Sequence, residues 1–276
     1  MTADYKYYSI REEDDGELVA YYGDYTLRSH LQPILACEDN SRTVLIGAEA
    51  LARVALNDQP IRTEAFFDNL PDSEVKARDQ LCRALHLASF ATVNDGLMRL
   101  FLNIFPESCA SAEDAIAAAR MITGYLFPLG INPKQVVCEI IEAKVDDLGA
   151  LKEVTQSIRE AGALIAIDDF GCRYSNIDRI FELKPDIVKL DAMIVRRAGE
   201  FNSGPRMLSA IINMIHEMGA LALVEGIEGR SEMDMALESG ADLLQGYFIG
   251  RPTASQTGME DTKERDRKNF LSGFIG

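Results

Sequence analysis

The sequence predicts a β/α barrel of eight strands, and three observations predict it. Six short apolar segments, 44–49, 100–103, 136–139, 164–169, 187–189 and 221–225, each finish on an acid, an amide or a lysine. Most of them are followed by a stretch with helical apolar spacing, and that alternation is the pattern of a barrel whose reactive groups come from the carboxyl ends of different strands. The length, 276 residues, suits one such domain with a full core.

The elements follow in order. Residues 1–24 are poor in apolar side chains and carry the run Arg11-Glu-Glu-Asp-Asp-Gly-Glu17, which predicts a solvated, partly ordered acidic arm. Strands are expected over 25–35 and 44–51. The link 37–43 is too short for a crossover helix, so these two pair antiparallel as a hairpin and the first strand runs against the rest. Helices are then expected over 73–94, with Val75, Leu81, Leu85 and Ala88 on one face, and over 111–129, with Ile116, Ala119, Ile122 and Leu126. A helix over 146–161 stops at Gly162, and one over 176–183 stops before Pro185. Residues 205–218 open on Pro205, show Leu208, Ile211, Ile212 and Ile215 on one face, and stop at Gly219. A helix over 231–239 leads into the eighth strand at 242–248. The domain is therefore expected over 25–254, followed by a charged tail over 255–276 that closes on Phe270, Leu271, Phe274 and Ile275.

Composition narrows the chemistry. With 47% apolar and 26% charged residues this is an ordinary globular chain. No apolar run reaches the roughly 20 residues of a membrane span, and the start lacks a signal-peptide core. Five scattered cysteines, with no C-x-x-C pair, read as reduced thiols of a cytoplasmic protein, and Cys138 reads as core filler rather than nucleophile. A net charge of −16 argues against a nucleic-acid polymer or an anionic membrane as partner. A small phosphate ligand is compatible, provided metals or a few placed cations neutralise it.

The strand ends supply Glu49, Asn103, Glu139, Asp168, Asp169 and Glu225, an all-oxygen set. Hard oxygen donors select Mg²⁺ or Mn²⁺ over zinc or copper, and none of His30, His86 and His216 falls at a helix-preceding strand end. So many carboxylates cannot crowd together without cations, which points to two ions rather than one. Successive strand residues face opposite ways, so Asp168 and Asp169 can serve one site only if the strand ends there and Gly171 turns the chain. Lys189, sharing a face with Asp191, can balance charge and hold a water. Two metals about 3.5–4 Å apart clamp the attacking and leaving oxygens of a phosphoryl centre, so the expected chemistry is metal-assisted hydrolysis of a phosphate ester.

At these residues the chain resembles the EAL family, the cyclic di-GMP phosphodiesterases of bacteria. Gln32-Pro-Ile34 resembles the family's opening motif, and Glu49-Ala-Leu51, continuing to Arg53, is its naming motif. Leu102-Asn-Ile-Phe-Pro106, Glu139-Ile-Ile-Glu142, Asp168-Asp-Phe-Gly171, Lys189-Leu-Asp191, Glu225-Gly-Ile-Glu228 and Gln245-Gly-Tyr-Phe248, with Pro252 beyond, follow in the family's order. The resemblance implies a barrel with an antiparallel first strand. It implies two Mg²⁺ or Mn²⁺ ions on Glu49, Asn103, Glu139, Asp168, Asp169 and Glu225. Lys189 would orient water with Gln245 nearby, and Gln32, Leu51, Arg53 and Pro252 would contact the dinucleotide. Glu228 would steady the loop after the paired aspartates. The reaction would open cyclic di-GMP to linear pGpG, and pairing into a homodimer is expected.

One departure bears on activity. The family's loop after the paired aspartates continues T-G-x-S-S, whereas this chain reads Cys172-Arg173-Tyr174-Ser175-Asn176. Arg173 replaces a glycine, removing access to positive φ and adding a cation beside the metals. The competing reading is a cyclic di-GMP receptor of the same fold acting through a partner protein. An enolase-like lyase or a carboxylate-pair glycosidase also places acids at strand ends, but neither explains the motif series, and the absence of tryptophan weakens sugar binding. No sensory domain is expected within the 24-residue arm, so regulation is expected from expression, a partner or pairing.

Overall fold

The structure, a computed structural model, describes residues 3–5, 8–39, 42–68, 71–104, 124–141, 148–171 and 177–254. Its strands are β1 (Ala3–Tyr5), β2 (Tyr8–Glu12), β3 (Leu18–Tyr22), β4 (Tyr25–Asp39), β5 (Arg42–Leu56), β6 (Gln59–Ile61), β7 (Arg99–Ile104), β8 (Val136–Ile141), β9 (Leu164–Phe170), β10 (Ile187–Leu190), β11 (Leu221–Val224) and β12 (Leu243–Leu244). The described helices are α1 (Asp72–Val93), α2 (Leu148–Glu160), α3 (Ile177–Leu183), α4 (Ala192–Gly199), α5 (Gly204–Glu217) and α6 (Arg230–Glu238).

Eight of the strands close a barrel in the order β4-β12-β11-β10-β9-β8-β7-β5, with β4 pairing back onto β5. β4 runs antiparallel to both neighbours, and every other barrel pair is parallel, as the short hairpin link predicts. The hairpin is longer than expected, pairing from Tyr25–Leu56 at one end to Asp39–Arg42 at the other.

The acidic arm is where expectation and structure part. β2 and β3 add antiparallel to β4, and Ile10, Val19 and Ala20 are buried. Ile10 and Ala20 join Leu27, Val54, Phe66, Leu81 and Leu85 in a second apolar cluster under α1. The charges of the 11–17 run sit largely in the β2–β3 turn, so they hid two strands of alternating pattern from a composition argument.

The expected helix 111–129 falls for the most part outside the described residues, as do Glu142, residues 172–176 and the tail 255–276. The eighth strand is only two residues long. The short helix α4, unassigned in the sequence reading, starts at once after β10, with Asp191 as N-cap accepting a 2.7 Å bond from Met193 N. Elsewhere the helices bury the predicted faces, Leu208, Ile212 and Ile215 in α5 among them.

Inside the barrel lies one apolar cluster, with Ile34, Ile46, Phe101, Val137, Ala166, Ile187, Leu223 and Leu243 from the eight strands and Ala36 as a second residue from β4. This cluster positions the site above it. Two residues further on, the same face returns. In β7 to β11 that rule turns Phe101 into Asn103, Val137 into Glu139, Ala166 into Asp168, Ile187 into Lys189 and Leu223 into Glu225. Just past β12, Leu243 likewise leads to Gln245. In β4, which runs the other way, the counterpart lies two residues before Ile34, at Gln32.

Candidate metal-dependent active site

Two strands need a device to place their side chains. In β5 the register slips between Ile34–Gly47 and Leu35–Leu45, so Ile46 is an extra, bulged residue. The bulge shifts the alternation, and Glu49, three places beyond Ile46, faces the lumen. In β9 the register slips again. Val188 pairs with Ile167 and Leu190 with Phe170, so two aspartates stand opposite Lys189 alone. Asp169 takes a left-handed φ of +58°, and Gly171 follows at +100°. This is how consecutive carboxylates reach one site. A Cβ on Gly171 would lie 2.1 Å from Ile194 Cδ1, so a side chain there would collide with α4. The expected turn at Gly171 is present, and strain sits two residues earlier as well, at Asp169.

Lys189, 1% exposed, forms the centre. Its Nζ is 2.5 Å from Glu139 Oε1, 2.8 Å from Glu225 Oε1, 3.1 Å from Asp168 Oδ1 and 3.9 Å from Glu49 Oε2. Glu49 is oriented from both sides, accepting from Asn103 Nδ2 at 3.2 Å and from Gln245 Nε2 at 2.8 Å. Asp168 accepts from the backbone N–H of Asp169 at 2.9 Å. One oxygen each of Asp168, Asp169 and Glu225 lie within 4.8 Å of one another.

The electrostatics show what crowding costs. Burial drives the Glu139 carboxyl well above the ordinary carboxylate range, and neighbouring Glu49 and Asp168 add to it against the pull of Lys189. Burial likewise lifts Glu225 to about 8 and Asp169 to about 6, the latter helped by Asp168 and Asp191. Burial disfavours the Lys189 ammonium, yet the four surrounding carboxylates prevail and raise its affinity for a proton well above the ordinary value. One ammonium for so many acids leaves a deficit of positive charge. Beyond the Lys189 ammonium, the buried Glu139 carboxylate has no hydrogen-bond donor among the described residues, and its Oε2 is left without one. An all-oxygen cluster with more carboxylates than its one ammonium can balance fits hard divalent cations, and Asp168, Asp169 and Glu225 are the residues whose oxygens gather closely enough to hold one.

A cavity of about 340 Å³ opens above this cluster, lined by Gln32, Glu49, Leu51, Asp168, Lys189, Glu225, Glu228 and Gln245. Gln32 Nε2 donates to Gly250 O at 3.3 Å. Arg53 lies further out on the same face of β5, exposed, with Nη1 donating to Ala52 O at 3.1 Å. Pro252 is half-buried beside the bridge that joins Leu31 to Thr253. Glu228 pairs with Arg196 of α4 at 2.6 Å, while the loop it was expected to steady lies outside the described residues. Five further residues line the cavity: Asp191, Ala192, Gly226, Gly246 and Tyr247. Asp191 had a sequence signal, an acid one residue before Ala192 in N-cap position. Gly226 had none: its φ of +65° and its packing against Ala192 are tertiary facts.

Comparison with known proteins agrees with this geometry. Residues 23–252 match the EAL domain family. The cyclic di-GMP phosphodiesterase RocR of Pseudomonas aeruginosa is 27% identical over 253 residues, covering 90% of this chain and 60% of RocR. The chain spans less still, 26%, of the cyclic di-GMP phosphodiesterase PdeF of Escherichia coli, at 24% identity over 200 residues and 71% of this chain. Among solved structures, Bacillus subtilis YkuI in complex with cyclic di-GMP and calcium has a TM-score of 0.69 at 25% identity, covering 90% of this chain and 60% of that one. Klebsiella pneumoniae BlrP1 in its manganese and cyclic di-GMP complex reaches a TM-score of 0.72 at 23% identity, covering 92% of this chain and 59% of that one, a likeness of fold.

Proposed function

The chain belongs to the EAL domain family, and from that premise we propose that it hydrolyses cyclic di-GMP to linear pGpG with two Mg²⁺ or Mn²⁺ ions. The observation that carries this reading is the convergence of Glu49, Glu139, Asp168 and Glu225 on a single buried ammonium, with Glu139 Oε2 left without a hydrogen-bond donor among the described residues. Glu49, Asn103, Glu139, Asp168, Asp169 and Glu225 would hold the ions. Such ions, when bound, neutralise the phosphoryl oxygens and lower the pKa of a water.

The chain's own groups do the rest. Asn103 and Gln245 fix the Glu49 carboxylate by holding one oxygen each. Lys189 offers a proton donor at the floor of the cavity, where it holds the attacking water. Gln32 and Leu51 shape the wall of the cavity. Arg53, with no carboxylate partner among the described residues, pairs with the phosphate that is not attacked, and Pro252 contacts the base. Water adds to phosphorus as one P–O ester bond breaks, leaving a 5′-phosphate and a 3′-hydroxyl. Ile177 and Phe181, 41% and 57% exposed and four residues apart on α3, offer an apolar face for a second copy. Burial raises the Cys37 thiol to about 12 and the Cys82 thiol above the ordinary range, so both stay protonated, and the scattered cysteines with no C-x-x-C pair suit a reducing, cytoplasmic setting.

The test is incubation with cyclic di-GMP under Mg²⁺, Mn²⁺ or Ca²⁺ with separation of the nucleotide products. Release of pGpG with Mg²⁺ or Mn²⁺, and binding without turnover in Ca²⁺, are expected. The altered Cys172-Arg173 segment favours a second reading, a receptor that binds without hydrolysis. Binding with no product under any of the three ions would select it.

A further inference from the structure

The N-terminal strands bear on the ligand. β4 and β5 extend past the barrel rim, and their register carries the lumen face outward in rows: Gln32 opposite Glu49, His30 opposite Leu51, Arg28 opposite Arg53. Arg53 therefore stands roughly 13 Å beyond Glu49 along the strand. Directly opposed like charges on adjacent strands are destabilising, with Cβ atoms about 4.5–5.5 Å apart. Two arginines face each other here, and the carboxylate that answers them comes from outside the barrel. Val19 of β3 pairs with Arg28, and Glu17, two residues earlier, reaches it: Arg28 Nε donates to Glu17 Oε2 at 2.8 Å.

That pair is incomplete on both sides. The other Glu17 oxygen is buried with no hydrogen-bond partner among the described residues. Arg28 engages Glu17 through Nε, and its two terminal nitrogens, the fork that grips a phosphate, make no hydrogen bond among the described residues. The cluster is compact. Burial lowers the His30 pKa first and Arg53 next, with Glu17, the Pro252 backbone and Arg28 also within reach of its ring. The cavity floor below is committed otherwise, since Lys189 is surrounded by carboxylates.

We propose that Arg28 is a second phosphate-binding residue for the dinucleotide: with Arg53 it grips the phosphate that is not attacked, and Glu17 is the resident counter-ion that the phosphate displaces. The inference rests on the cyclic di-GMP reading above and deepens it, because it makes β3 and its acidic turn part of the binding site. Glu17 then competes with the ligand for Arg28.

The experiment is calorimetric titration of the full chain with cyclic di-GMP in Ca²⁺ at low salt, for wild type, Arg28→Gln and Glu17→Gln. Loss of a charge-assisted fork is expected to weaken binding roughly tenfold in Arg28→Gln. Removing the competitor is expected to tighten binding about threefold or more in Glu17→Gln, and both effects shrink as salt rises. Wild-type affinity in Arg28→Gln overturns the proposal. If Arg28→Gln does not fold, an affinity in Glu17→Gln equal to or weaker than wild type overturns it alone. A wild-type protein that binds no cyclic di-GMP overturns the functional reading instead, so the two failures are told apart.

Discussion

Glu49 and Lys189 are the residues on which the site turns. Glu49 is held by two amides and faces the lumen only because Ile46 bulges. Its side chain is not a core contact, so Glu49→Ala is expected to fold normally while losing Mn²⁺ binding and at least about 100-fold in hydrolysis, an order of magnitude in keeping with a lost metal ligand. Titration of Mn²⁺ and a product assay check this, and wild-type affinity for the ion would remove Glu49 from the ligand set. Lys189 makes the converse prediction. In metal-free protein it is the one cation among four carboxylates in the described site, and deleting one member of a buried charge cluster costs about 3–5 kcal/mol. Lys189→Met is therefore expected to melt well below wild type in chelator and to recover much of the difference on adding Mn²⁺. Equal melting of the two proteins in chelator would show that the acids are protonated and need no cation.

At the scale of the element, α1 carries a buried histidine paired with a hydroxyl. His86 Nδ1 lies 2.7 Å from Ser29 Oγ of β4, and burial pushes its pKa down to about 4. The folded state thus resists a proton that the unfolded chain accepts near pH 6.5. Stability from this source is complete above pH 6.5 and is lost as pH falls through 6.5 toward 4, amounting to about 2 kcal/mol by pH 5 and about 3 kcal/mol in full. Urea unfolding of wild type and His86→Gln at pH 7 and pH 5 separates this from the carboxylates. The pH-dependent loss is expected to be smaller in the variant by about 2 kcal/mol, and identical losses would refute the assignment.

For the whole molecule, the consequence of β2 and β3 is that the barrel does not stand alone. Removing residues 1–24 would strip Ile10 and Ala20 from the second cluster, take away the buried Val19 and uncover Leu27, Val54 and Phe66. Full burial of a large apolar side chain is worth about 1.5–3 kcal/mol, so the loss is expected to exceed about 3 kcal/mol. It also frees the ladder groups of β4 that β3 satisfies. Thermal melting of residues 25–276 beside the full chain measures it. An unchanged melting temperature would mean that the added strands pack without stabilising.

The sequence by itself determined the barrel, the reversed first strand and the strand-end acids that meet around Lys189. These rest on local signals: a link too short for a helix, and functional side chains at the ends of apolar runs whose period of two carries them from the core layer to the lumen mouth. It identified Lys189 for the same reason, and Gln245 through the motif resemblance. What it could not supply is where that period breaks. The bulge at Ile46, the paired aspartates opposed to Lys189 and the left-handed Asp169 are decided by neighbouring strands, because register is a property of a pair and not of a run. The strands β2 and β3 escaped for a related reason. Their apolar residues are few and interleaved with charge, and they fold only because Leu27, Phe66 and α1 provide a surface to cover. Tertiary structure alone also set Arg28 opposite Arg53 with Glu17 between the barrel and its added sheet, since cross-strand neighbours twenty-five residues apart have no local signature.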